Sequence, residues 1–334
     1  MSGTAARPRL VVLRALGLGD LLTAVPALRG LRAGFPDHEI VLALPSALAP
    51  LADLLDDAVD TVVDVDFRHA VGALPGDLAG PDVAANLHGR GPQSHAALAA
   101  LAPRHLLAFA DPDHAPDGPA WQDEEHERDR WCRLLTHHGI AADPDDLLVA
   151  PPLQAAGGTD VARFAGATVI HPGAASVARR WPVDRWAAVA RHQREQGRRV
   201  VVTGGPDEGG LADAVARFAG VDAGDVVAGR TSVVELAALV ADAARVVCGD
   251  TGVAHLASAF ATPSVVLFGP TPPARWGPPT SRRHVALWAG RAGDPHGSAP
   301  DPGLLSLETD DVTAALDGLP DREPADDPVD ASIS

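Results

Sequence analysis

Short apolar runs without polar alternation recur along the chain, and each stops near an acid, a glycine or a proline. In the first half they are RLVVLR (residues 9–14), EIVLALP (39–45), DTVVDVD (60–66), DVAANLHG (82–89) and RHLLAFA (104–110). Runs that stay apolar on both faces predict strands covered on both sides, the condition of a parallel sheet. Helical stretches fall between them, around residues 46–55, and after them, over 124–138. A Pro-, Asp- and Gly-rich stretch, DPDDLLVAPPLQAAGG (143–158), predicts a linker.

The pattern restarts beyond it. ATVIHPG (167–173), RRVVVTGG (198–205), RVVCGD (245–250) and PSVVLFGP (263–270) predict strands, and residues 183–197, 208–220 and 232–244 predict helices. Gly197 supplies a C-cap for the first of these helices, and Ser232 with Glu235 makes a capping box for the last. Strands alternating with helices in both halves predict an α/β chain of two Rossmann-like doubly wound domains facing a cleft. The expected divisions are an N-terminal domain over 1–150, a C-terminal domain over 159–305, a last helix over 306–318 and a disordered acidic tail over 319–334.

Charge narrows the ligand. A formal charge of −17 opposes nucleic acid as a partner, because phosphate-backbone binding needs a basic footprint. There is no lysine, so any phosphorylated small molecule must be met by a local patch of arginine and backbone amides. Two cysteines, Cys132 and Cys248, exclude a disulfide framework and fit a reducing cytoplasm. The opening MSGTAARPRL lacks the apolar core of a secretory signal, and no long apolar run or basic amphipathic helix stands out, so at most peripheral membrane contact is expected. No H-E-x-x-H, Walker A or cysteine cluster is present, so neither metal nor cofactor is expected. DVD (64–66) has the form of a metal-binding acid pair, but DPD recurs at Asp111 and Asp143, and an acid-rich chain produces such pairs cheaply.

In a parallel sheet, ligands bind beyond the carboxyl ends of the strands, where helices begin. CGDTGVAHLASAF (248–260) sits at such a place. Thr251 can cap the helix while the amides of Gly252 and Val253 point outward with its dipole, making an anion site; His255 follows on the first turn. A plain N-cap with a surface histidine accounts for the segment equally well. SVARRWPVDRW (176–186) brings Arg179 and Arg180 to the same kind of strand end, as diphosphate-binding forks or as solvated side chains. In ALGLGDLLTAVPALRGL (15–31), Gly17 and Gly19 begin a dinucleotide fingerprint, but Leu22 stands at the third glycine position and the match fails. Asp20 remains, as a helix cap or as a general base, and Pro26 implies a kink or a later helix start. In TGGPDEGG (203–210) the backbone amides around Gly204 and Gly205, or Asp207 and Glu208, can meet a ribose or base, or the segment forms only a tight turn. NLHGRGPQS (86–94) offers His88, Arg90 and Gln93 as an acceptor rim, beside Gly19.

Together these segments resemble glycosyltransferase family 9, the ADP-heptose:lipopolysaccharide heptosyltransferase family. The resemblance rests on LGLGDLLTAVPALRGLRAGFPDHEI, IHPGAASVARRWPVDRW and TSVVELAALVADAARVVCGDTGVAHLASAFATPSVVLFGPTPPARWGP, in matching order across residues 9–278. It implies the GT-B arrangement, inverting chemistry without a catalytic metal, and a nucleotide-sugar donor bound as substrate. It implies Asp20 as base, Arg179 against the donor diphosphate, and Asp250, Thr251, Gly252 and His255 against phosphates and sugar. The family's usual lysine before Trp-Pro is arginine here, a flatter and bulkier cation. The acceptor can be a glycan, a lipid-linked sugar or a small molecule. An epimerase or hydrolase on the same scaffold, or a non-catalytic nucleotide-sugar binding protein, remains the alternative.

Overall fold

The structure is a computed structural model, and it describes residues 7–152 and 158–322. The first half holds β1 (Arg9–Leu13), α1 (Leu18–Thr23), α2 (Val25–Gly34), β2 (Glu39–Leu44), β3 (Thr61–Asp64), β4 (Val83–Asn86), α3 (Gln93–Ala99), β5 (His105–Leu107) and α4 (Glu127–His137). Its five strands are all parallel, in the order β3-β2-β1-β4-β5, with Leu10 facing Ile40 on one side and Val83 on the other. Leu10 to Leu13 are fully buried, which is why this strand reads as an unbroken apolar run.

The second half holds β6 (Thr168–His171), α5 (Val183–Glu195), β7 (Val200–Val202), α6 (Gly209–Ala219), α7 (Val233–Asp242), β8 (Arg245–Gly249), α8 (Gly252–Ala259), β9 (Ser264–Leu267), α9 (Pro273–Trp276), β10 (His284–Leu287), α10 (Pro302–Leu305) and α11 (Thr309–Asp317). These strands are parallel too, in the order β10-β9-β8-β6-β7. Each sheet has one point where the strand order reverses, between β1 and β4 and between β6 and β8. A crevice opens at such a point because the flanking connections leave to opposite faces.

The apolar core does not stop at the linker. Leu21, Leu22 and Leu28 of the first half belong to one buried cluster with Val253, Leu256 and Phe260 of the second. The 3-10 helix Ser46–Ala58 packs against α7, and α1 packs against α8. Separate clusters line the outer faces, Val11, Leu13 and Ala84 in one half and Ile170, Val202 and Val247 in the other.

Several expectations are sharpened. The kink implied by Pro26 is a break at Ala24, so Asp20 sits in the first turn of a short α1 and Pro26 in the first turn of α2. The stretch at 46–55 is 3-10 rather than α-helical, with Pro50 inside it. The final helix runs over Thr309–Asp317, and the chain stays packed past its end: Leu319 is buried and Arg322 donates to the Ala243 carbonyl at 3.0 Å. The rest of the expected tail, 323–334, lies outside the described residues, as do 153–157 of the expected linker. Among the described residues, no helix is long and apolar enough to cross a membrane.

Candidate active site

A cleft of about 890 Å³ lies where the two crevices face each other. From the first half it is lined by the loop after β1, Gly17 to Asp20; from the second, by the loops after β6, β7, β8 and β9. Gly19, Asp20, Arg179, Arg180, Gly204, Gly205, Asp207, Asp250, Thr251, Gly252, Val253 and His255 all line it.

Asp20 is fixed by its own turn. The Gly17 amide donates to Oδ2 at 3.0 Å, tying the carboxylate back to the start of α1, and Arg14 lies 3.3 Å from Oδ1. Arg14 follows β1 directly, with its side chain fully buried; it donates to Glu127 Oε1 at 3.0 Å and to the Leu87 carbonyl. Glu127 is also held by Arg130 and by Trp131 Nε1 at 3.1 Å. Behind one partly exposed carboxylate therefore stands a buried charged network. Removing one member of such a network leaves the others uncompensated, typically at about 3–5 kcal/mol.

Opposite Asp20 is the start of α8. The two helices meet closely there: a Cβ on Gly19 would lie 2.6 Å from His255 Cδ2, and one on Gly252 would lie 3.0 Å from the Leu18 side chain. Glycine at both positions lets the helices touch. His255 is buried edge-on to Trp276, with ring centroids 5.8 Å apart. Burial, with His126 and Arg128 nearby, pushes its pKa down to about 4, so the ring is neutral at pH 7. Thr251 stands at the N-cap in an extended conformation, yet its hydroxyl caps no amide, contrary to the expected role. Both the hydroxyl and the first amides of α8 remain for a ligand.

Arg179 bridges the loops after β6 and β8. Its Nη1 donates to the Asp250 carbonyl at 3.2 Å and stands 3.6 Å from the Asp250 carboxylate. Burial raises the Asp250 carboxyl above its ordinary range, and Arg179 offsets only part of that rise. Arg180 donates to the Ala174 carbonyl and stands 3.9 Å from Glu208, whose carboxylate also accepts from the Gly205 amide at 2.7 Å. His171, at the end of β6, bonds Thr203 at 2.9 Å and is held neutral by burial against the pull of Glu208.

Two of the expected acceptor residues, His88 and Arg90, are not among the residues that line this cleft. His88 is not among the cleft-lining residues; it stands edge-on to Phe67, and burial, reinforced by Arg14 against the pull of Asp20, lowers its pKa to about 4. Arg14 also donates to the Leu87 carbonyl, so this segment is tied to the same arginine that lies beside Asp20. Arg90, two residues on in the same loop, is exposed and outside the cleft lining. Conversely, His171, Thr231, Ser232, Arg275, Trp276 and His296 also line the cleft, beyond the residues expected there. For Arg275 and Trp276 the signal was present, because both lie in the PTPPARWGP stretch. Among the described residues, no three His, Cys, Asp or Glu side chains converge as a metal set would. Burial raises the Cys248 thiol far above its ordinary range, which removes it as a nucleophile.

A family model described as glycosyltransferase family 9 (heptosyltransferase) matches residues 129–302. No curated protein sequence matches the chain. Among solved structures, a glycosyltransferase family 9 protein from Veillonella parvula superposes with a TM-score of 0.76 at 19% identity, covering 93% of this chain and 97% of that one. The ADP-heptose lps heptosyltransferase II of E. coli does so with 0.70 at 20% identity, covering 93% and 98%. The E. coli heptosyltransferase WaaC with ADP gives 0.67 at 20% identity, covering 92% and 99%. These likenesses show a shared two-domain GT-B fold.

Proposed function

The chain belongs to glycosyltransferase family 9, and from that premise we propose that it moves a heptose from an ADP-linked donor to an acceptor hydroxyl, with inversion and without a catalytic metal. The observation that carries this reading is that Asp20 of one half and the Thr251–Gly252 cradle of the other line one cleft, with Arg179 beside the cradle. The donor diphosphate lies at the amino end of α8, against Arg179, with its nucleoside toward Gly204, Gly205 and Asp207. The sugar points across the cleft. Asp20 takes the proton of the attacking hydroxyl, and that oxygen bonds the anomeric carbon from the face opposite the diphosphate. The C–O bond to the phosphate breaks with its electron pair on the departing nucleoside diphosphate. Arg179 and the α8 amides, already oriented, stabilise that charge in the role a metal takes elsewhere. Gly17 and Arg14 hold the two carboxylate oxygens of Asp20, so the base is aimed before the acceptor arrives.

The two homologous E. coli structures are named for ADP-heptose or contain ADP, which supports the donor assignment. A cytoplasmic enzyme of cell-surface glycan synthesis, meeting membranes at most peripherally, fits this donor. The test is Asp20→Asn. Turnover should fall by about 10²–10⁴-fold, the usual worth of a general base. Donor binding should persist, read as a rise in melting temperature with ADP-sugars against UDP-, GDP- and dTDP-sugars. Full activity in Asp20→Asn removes that residue from the chemistry, and a panel without any shift removes the donor class.

A further inference from the structure

Three arginines line the cleft, and two of them share their charge with a carboxylate: Arg179 with Asp250 and Arg180 with Glu208. Arg275 has no such partner among the described residues. Its Nε is shut away from water with no acceptor, and the same is true of Arg179 Nε. A guanidinium held half-buried without a counter-charge is costly, and a ligand oxyanion would offset that cost. The sheet order tells where such a ligand would lie. β6 and β9 are the two direct neighbours of β8, so Arg179 on the β6 side and Arg275 on the β9 side stand to either side of the amino end of α8. Trp276, next to Arg275, packs on His255, which ties this flank to the reaction centre.

We propose that Arg275 is the second arm of a diphosphate clamp: it takes the outer phosphate of the nucleoside diphosphate while Arg179 holds the pair from the other side. This rests on the nucleotide-sugar reading above and adds a residue to it. When the sugar–oxygen bond breaks, the electron pair stays on that outer phosphate, the acceptor oxygen takes the sugar, and its proton goes to Asp20. Arg275 is then the cation of the cleft whose charge is free to meet the new negative charge.

The experiment is calorimetric titration of the full chain with ADP and AMP, UDP and UMP, and GDP and GMP. Wild type should prefer one diphosphate over its monophosphate. Arg275→Gln should weaken that diphosphate by about tenfold or more, the worth of one charged hydrogen bond, and leave the monophosphate within about threefold. Arg275→Lys, which keeps the charge, should recover most of the preference. An undiminished preference in Arg275→Gln overturns the clamp alone. Equal loss of both nucleotides assigns Arg275 a structural role and also overturns it. A wild type without any diphosphate preference overturns the clamp and the donor reading together.

Discussion

Gly19 is a residue whose importance comes from what it lacks. A methyl group there would lie 2.6 Å from His255 Cδ2 and 3.2 Å from Nε2, and His255 cannot retreat freely because Trp276 packs edge-on against it. Gly19→Ala must therefore push α1 away from α8 or turn the histidine into the cleft. Overpacking of this kind typically costs about 1–3 kcal/mol. The two domains carry most of their core on their own sheets, so the fold should survive, with an unchanged far-ultraviolet circular dichroism spectrum. Turnover should drop by at least about tenfold, since Asp20 is the next residue and a misplacement of about 1 Å is expensive in catalysis. A Gly19→Ala enzyme as fast as wild type would show that the contact between α1 and α8 does not set the distance across the cleft.

At the scale of elements, Glu235 closes the capping box of α7, its carboxylate accepting from the Ser232 amide at 2.6 Å and from the Thr159 amide at 2.7 Å. The Ser232 amide is the main reason its pKa is held below the ordinary carboxylate range, so this stabilisation is present above that range and fades as the carboxylate is protonated. Glu235→Ala should lower stability by about 1–3 kcal/mol, seen as a lower urea midpoint with an unchanged slope, because two amides lose their acceptor. An unmoved midpoint would mean that water replaces the carboxylate without loss. The capping box was legible because Ser232 and Glu235 are three residues apart; Thr159, 76 residues away, was not. The same division runs through the site. The Gly17–Asp20 turn and the Gly252–His255 turn could be read because each follows a buried strand directly. β10 and α9 escaped: HVAL is a half-exposed edge strand that gains its ladder only from β9, and a four-residue helix has no periodicity to read. Arg14 looked like a strand end, and its place behind Asp20 is decided by Glu127, 113 positions away. Thr251 looked like a capping hydroxyl, but its extended backbone leaves the helix amides uncapped.

At the scale of the whole molecule, one buried cluster runs from the first half into the second, and histidines are buried along with it. His255, His88 and His284 are each held near a pKa of about 4, chiefly by burial; at His284 the neighbouring Arg283 adds to the effect. Around His255 the facing groups are His126, Arg128 and Arg14, which oppose its protonation, and Glu127, which favours it. The ordinary histidine value is about 6.5, so the unfolded chain takes up these protons first as the pH falls. Stability is therefore complete above about pH 6.5 and is lost progressively toward pH 4, with His255 alone contributing on the order of 3 kcal/mol across that window. Asp250 works in the opposite sense, because burial pushes its carboxyl up, and it offsets part of the loss. Asp66, held down to about 2 by Arg68, titrates below the window and leaves it unmasked. The melting temperature should fall steadily between about pH 7 and pH 5, and His255→Gln should flatten that slope by removing one of the buried rings that must charge. A level profile in wild type would mean that the buried rings accept protons in place. Equal slopes in wild type and His255→Gln would shift the acid sensitivity from His255 to the other buried histidines, among them His88, His126, His171 and His284.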